Sequence, residues 1–355
     1  MDSIELIKSL SNSNGAPGFE DEVIDIVKDA VKDFCTIEED SMRNLVLKLK
    51  DFDPDKPTIM IDGHSDEVAF MVQSIKPNGT IKFLPLGGWF CQNVSAHRVR
   101  VRNSDGQYIT GIVSSKPPHF MTEAERNKIV EISDMVIDIG ATNREDVIEK
   151  YGIEPGAPIV PDVDFEYQGD HGVMIGKAFD NRIGCALVID VLKSLRGKSL
   201  PVNVVGGIAS QEEVGTRGAV ITSRLIKPDV AIVFEGSPAD DTHKDSYESQ
   251  GALRKGVQIR HRDNSYVSNP RFIKLARELA KSKNIKFQDA VRKGGGTDAG
   301  KIALSHRAVP VLVLGVPVRY AHTHYGISAY EDYESTLALA LDVIDSMTEK
   351  QIEIL

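Results

Sequence analysis

The chain predicts an α/β protein, a three-layer α/β/α core of mostly parallel strands that carries a small inserted β-barrel-like domain. Three observations lead there. Apolar runs such as Ile59-Met60-Ile61, Val202-Asn203-Val204-Val205, Val230-Ala231-Ile232-Val233-Phe234 and Val311-Leu312-Val313-Leu314 read as buried strands. Segments with helical spacing lie between most of them, the signature of crossover units on a parallel sheet. From about Glu67 to Val163 the texture changes to short strand-like pieces cut by turn residues, which suits a small barrel or sandwich.

In chain order, Ser3 to Leu10 and Glu20 to Phe34 read as helices. In the second, Val23, Ile26, Val27, Ala30 and Val31 form one apolar stripe, and Gly15-Ala16-Pro17-Gly18 separates the two. Strands follow at Asn44 to Leu49 and Thr58 to Asp62. The insertion reads as strands at Val68 to Val72, Thr80 to Leu84, Arg98 to Val101, Tyr108 to Val113 and Met135 to Ile139. Pro77-Asn78-Gly79, Gly87-Gly88, Asp105-Gly106 and Pro117-Pro118 punctuate them. Asp180 opens a helical segment, Asn181 to Leu195, and alternation continues to an amphipathic helix from about Tyr333 to Met347. The expected organisation is a discontinuous domain of residues 1–66 and 164–355, with residues 67–163 inserted as a β-rich domain.

Composition narrows the functional classes. With 355 residues, 41% of them hydrophobic and 26% charged, the chain can bury a large core. A net charge of −10 argues against a nucleic-acid partner, which wants a basic face. Cys35, Cys91 and Cys185 are far apart and form no CxxC, so neither a disulfide framework nor a thiolate zinc site is expected. The opening Met1-Asp2-Ser3-Ile4-Glu5-Leu6 has no basic and then apolar leader pattern, and no apolar stretch nears the roughly 20 residues that span a bilayer. A cytoplasmic protein without a membrane partner is expected.

The candidate chemistry lies just past the apolar runs, where the ligand crevice of an α/β sheet opens. His64-Ser65-Asp66 follows the first run. An imidazole held by a neighbouring carboxylate is a common metal-ligand arrangement, although HxD alone is more often structural. Asp180 taken alone is more simply a helix N-cap, a role compatible with ligation because a carboxylate has two oxygens. Glu212-Glu213 stands between a Gly-bearing strand and the turn Val214-Gly215-Thr216-Arg217-Gly218. Adjacent side chains diverge, so one can bind metal while the other serves as general base. Glu235 ends an apolar strand, where an unpaired carboxylate is costly. Either His322 or His324 completes the set. Gly294-Gly295-Gly296-Thr297-Asp298-Ala299 lacks the P-loop spacing and reads as close backbone approach to a substrate. Each feature has a bland reading, but five such accidents at one sheet edge multiply poorly. Two imidazoles, one bridging acid and two further acids match a paired-metal hydrolase site.

At this point the chain resembles the M42 family of metallo-aminopeptidases. The motifs that carry the resemblance are Gly63-His64-Ser65-Asp66-Glu67-Val68, Lys116-Pro117-Pro118-His119, Asp138-Ile139-Gly140-Ala141, Lys177-Ala178-Phe179-Asp180-Asn181-Arg182, Gln211-Glu212-Glu213-Val214-Gly215 and Arg319-Tyr320-Ala321-His322-Thr323. The resemblance implies that His64, Asp180 and Glu235 hold one divalent ion and Asp180, Glu213 and His322 a second, with Zn2+ and Co2+ the plausible ions. It implies Glu212 as general base, Asp66 as the residue that orients His64, and His322 over His324. It also implies short peptide substrates, dimerisation through the inserted domain, and homo-oligomers from a dimer to a tetrahedral dodecamer. Many members carry Asp where this chain has Glu235. Rival readings are a related deacylase or carboxypeptidase with similar ligands, and a non-catalytic peptide-binding assembly protein. An endoglucanase is disfavoured because glycosidases flank the sugar with a carboxylate pair and need no metal.

Overall fold

Residues 1–355 are described by a computed structural model. In chain order, β1 (Cys35–Glu39) and β2 (Leu45–Leu49) form a hairpin, and β3 (Thr58–His64) follows. Next come β4 (Ala69–Ile75), β5 (Ile81–Leu86), β6 (Arg98–Arg102), β7 (Tyr108–Val113), β8 (Ile137–Asp138) and β9 (Pro158–Pro161). The remaining strands are β10 (Glu166–Gln168), β11 (Val173–Gly176), β12 (Asn203–Ala209), β13 (Val230–Ala239), β14 (Val257–Arg262), β15 (Phe287–Val291), β16 (Val311–Arg319) and β17 (Gly326–Ala329).

The main sheet has the order β1-β2-β12-β3-β13-β16-β17-β11-β10, with β14 also paired to β16 and β15 to β14. Neighbouring strands are parallel along β12-β3-β13-β16 and between β14 and β15, and antiparallel at every other pair. The sheet is therefore mixed, not mostly parallel. Connection length explains it: a parallel partner needs a crossover of about a dozen residues or more. Helices Phe179–Leu195 and Arg217–Ile226 supply such crossovers, whereas β1 and β2 are joined only by the loop Asp40–Asn44.

Side chains alternate between the faces of the central strands. Ile59, Ile61, Leu312 and Leu314 enter one apolar layer with helices Ser3–Asn12, Asp21–Val31, Phe179–Leu195, Pro270–Ser282 and Tyr330–Ser346. Met60, Val311 and Val313 enter a thinner layer on the other face with Ala219, Ala299 and Ile302. Helices on both faces make this a three-layer arrangement. Each Ile or Leu buried so completely contributes about 1.5–3 kcal/mol relative to exposure.

β4, β5, β8, β7, β6 and β9 close into a barrel in that order. Its core is separate from the main one and holds Phe70, Phe83, Val99, Val101, Ile137 and Ile159. Phe70 meets Phe83 edge-on at 5.0 Å and stacks on Trp89 at 4.6 Å. The Met135–Ile139 strand shrinks to Ile137–Asp138. β9, which the flanking prolines hid, supplies the closing strand, with both prolines at its ends where a missing N–H is tolerated.

Candidate metal centre

His64 is the last residue of β3 and is buried. β12 ends at Ala209 and releases the turn that carries Glu212 and Glu213. Glu235 lies inside β13, since that strand runs on to Ala239 and does not stop at Phe234. β16 likewise extends to Arg319, and His322 follows in the left-handed region at φ 60°. Asp180 does not cap its helix. Its backbone is extended, and Asn181 takes the capping role: Oδ1 accepts from the Gly184 and Gly236 N–H groups at 3.0 and 3.1 Å, while Nδ2 donates to Phe234 O at 2.8 Å. Both Asp180 oxygens are thereby left to the site. Gly236 permits the approach, because a Cβ there would lie 2.4 Å from Phe179 O.

The side chains converge. His64 Nε2 lies 3.3 Å from Asp180 Oδ1 and 4.0 Å from Glu235 Oε2. His322 Nε2 lies 3.5 Å from Asp180 Oδ2 and 3.6 Å from Glu213 Oε2. Glu212 Oε2 is 3.9 Å from His64 Nε2. The potential ligand atoms of His64, Asp180 and Glu235 lie within 4.8 Å of one another, as do those of Asp180, Glu213 and His322. Asp180 belongs to both groups. His324 stays out of the site: it is buried, stacked on His97 at 4.2 Å, and burial pushes its imidazole down to about 3.

Asp66 does more than face His64. Its Oδ1 accepts from Glu212 N–H at 2.9 Å and its Oδ2 from Glu213 N–H at 3.0 Å. His64 Nδ1 is 3.5 Å from Asp66 Oδ1 and nearer, at 3.2 Å, to the Asp66 main-chain carbonyl. Sequence reading missed two further contributions. The Gly88 carbonyl, on the barrel, sits 2.9 Å from His322 Nδ1 and so directs Nε2 into the site. Buried Asp62 and Asp298 interact with each other and with the His64 charge, and only Asp62's place two residues before His64, on the same strand face, signalled its proximity.

Burial and mutual repulsion dominate the electrostatics. Burial pushes Glu212 up to about 8 and holds Glu213 and Glu235 well above the carboxylate range, with the Asp180 charge adding to both. For the imidazoles burial acts the other way, but hydrogen bonds to Asp180 outweigh it, raising His322 to about 10 and His64 well above its ordinary value. Those same contacts overcome burial at Asp180 and keep it ionised. The donor set suits divalent cations: each group offers one imidazole nitrogen and two carboxylates, and Glu213 Oε1 is buried without a hydrogen-bond partner. The cleft above has a volume of about 630 Å³ and polar walls that include Lys244, Arg260, Arg292, Lys293 and the Gly294–Gly296 turn.

Imidazoles and carboxylates gathered at the carboxyl ends of α/β strands define the class of metal-dependent hydrolases. The family model for M42 glutamyl aminopeptidase matches residues 43–339, and the chain belongs to that family of exopeptidase hydrolases. It is 32% identical over 357 residues to the glutamyl aminopeptidase of Lactococcus lactis subsp. cremoris (strain MG1363), covering 100% of this chain and 99% of that one. It is 27% identical over 350 residues to the lysyl aminopeptidase of Pyrococcus furiosus, covering 97% of each. Among solved structures, the TET aminopeptidase of the marine sediment archaeon Thaumarchaeota archaeon SCGC AB-539-E09 superposes with a TM-score of 0.94, at 37% identity and 99% coverage of both chains.

Proposed function

We propose that the chain is a dinuclear aminopeptidase that removes N-terminal residues from short peptides in the cytoplasm. One observation carries the reading: the two oxygens of Asp180 face two separate imidazoles, His64 at 3.3 Å and His322 at 3.5 Å. His64, Asp180 and Glu235 would hold one ion and Asp180, Glu213 and His322 the other, with Zn2+ or Co2+ suited to these N/O donors. The longer Glu235 arm takes the place an Asp fills in many relatives. When bound, the ions supply polarisation of the scissile carbonyl and lower the pKa of water in the site.

The remaining steps belong to the protein. Glu212, whose carboxyl is raised toward neutrality by burial, takes a proton from the attacking water and passes it to the leaving amine. The acidic floor receives the substrate's α-ammonium, which makes the enzyme an exopeptidase. Lys244, Arg260, Arg292 and Lys293 line the same cleft, so an acidic first residue is the preferred one. Residues 1–66 and 164–355 act as the catalytic domain and residues 67–163 as an inserted domain that pairs subunits. Leu84, Phe90, Phe120 and Ile129 support this, because each leaves much of an apolar side chain exposed on that segment.

The test is one short peptide offered free, N-acetylated and C-amidated to the metal-loaded enzyme, with products followed by mass spectrometry. We expect a ladder from the free N-terminus, fastest when the first residue is Glu or Asp. Acetylation should suppress turnover, since the buried amine site is then left unpaired. A ladder from the C-terminus, or release of acetate, would refute the aminopeptidase reading.

A further inference from the structure

The turn that carries Glu212 has an unusual support. Four successive amides, Ser210 to Glu213, all donate to side chains from other parts of the chain. Ser210 N–H donates to Asn44 Oδ1 at 2.8 Å, Gln211 N–H to Glu20 Oε1 at 3.2 Å, and the Glu212 and Glu213 N–H groups to Asp66 at 2.9 and 3.0 Å. Asn44, Glu20 and Asp66 come from the loop before β2, the residue before helix Asp21–Val31, and the loop after β3. All three are buried. The left-handed φ of 54° at Gln211 turns these N–H groups into a concavity of the kind that binds anions. Here the chain's own side-chain oxygens, from Asn44, Glu20 and Asp66, fill it.

We propose that Glu20 is a positioning residue for the catalytic turn, locking Gln211 so that the Glu212 carboxylate is aimed at the attacking water. Glu20 is itself anchored. Its Oε1 also accepts from Gly18 N–H at 2.8 Å, within the Gly15–Gly18 turn, and Gly15 donates to buried Glu67 Oε1 at 3.2 Å. Its Oε2 has no partner, so the holding is done by one oxygen. A Gln keeps that oxygen, and a Met keeps the volume without it. The hydrogen bonds of Glu20 go to Gly18 and Gln211 and not to a proposed ion ligand, and Glu213 on the same turn is held by Asp66, so the loss of Glu20 is expected to move the base without emptying the site.

The inference rests on Glu212 as general base, and the experiment separates the two. Glu20→Met, Glu20→Gln and Glu212→Gln are compared with the parent for kcat, KM and zinc stoichiometry by calorimetry. A base displaced by a fraction of an ångström to one ångström should cost Glu20→Met about 10- to 100-fold in kcat. KM and the zinc count should stay at parent values, and Glu20→Gln should recover to within about threefold of the parent. Parent-like kcat in Glu20→Met, an equal loss in Glu20→Gln, or a lost zinc equivalent would overturn the role of Glu20. If Glu212→Gln stays active, the base assignment fails instead. Should Glu20→Met not fold, hydrogen exchange in the parent decides: the Gln211 amide is expected to be protected, and exchange at the rate of an unstructured peptide would sink the proposal.

Discussion

Glu212 and Asp180 are close neighbours, the first raised by burial and the second held ionised by His64 and His322, and each expects a different result from mutation. Glu212 faces the cleft and forms a third three-residue ligand group with His64 and Glu213, outside both groups that contain Asp180. Glu212→Gln should cost about 10²–10⁴-fold in kcat while both ions remain bound. Asp180 is shared between the groups, so Asp180→Ala should weaken both sites together. Elemental analysis and calorimetry of the two variants check this. A Glu212→Gln protein that loses an ion, or an Asp180→Ala protein that keeps one at parent affinity, would break the assignment. At this scale the residue types were readable, because acids and imidazoles placed after apolar strands are costly without a purpose. The cap was not. Asp180 and Asn181 are both good capping residues, and only the contacts of Asn181 to Gly184, Gly236 and Phe234 decide between them.

Elements bring these residues together through contacts that are far apart in sequence. Buried Glu67, directly after the β3 loop, accepts from Lys177 at 2.5 Å and Arg182 at 3.1 Å. Burial lowers the Lys177 ammonium to about 8. This network ties the loop after β3 to the helix that carries Asp180. The barrel reaches the site too, through Gly88 and His322. Trp89 next to it donates to Ala69 O at 3.1 Å and packs on Phe70 and His324, so the contact is stiff. The outward face of the same segment exposes Phe90 and Phe120. If residues 67–163 pair subunits as proposed, replacing both by Asp should give smaller species, because like charges facing each other across an apolar contact are repelled and desolvated. Light scattering reads the outcome, and an unchanged particle mass would place the interface elsewhere.

For the molecule as a whole, metal uptake should be coupled to protons. The pKa values of Glu213, Glu235, His64 and His322 are all raised, so an ion that binds must displace protons from this set. The sign follows. Affinity should strengthen as pH rises, up to about 10 where His322 titrates, and weaken as it falls. Calorimetric titration of chelator-treated protein in two buffers of different ionisation enthalpy should give different heats. Equal heats, with affinity flat across neutrality, would contradict this. No helix is long and apolar enough to cross a membrane.

The sequence by itself determined the α/β class, the helices on both sides of a sheet, the β-rich stretch in the middle, and the short roll of acids and imidazoles from which the site is drawn. These follow from local periodicity and from the cost of burying charge, and both are written along the chain. Tertiary structure alone decided the mixed order of the strands, the closing of the barrel by β9, the reach of Gly88 into the site, and the double use of Asp66. Each of these depends on residues tens to hundreds of positions apart, such as Gly88 and His322 or Asp66 and Glu213. A hydrogen bond over such a span leaves no periodic trace in either segment, so it exists only once the sheet has set the distances.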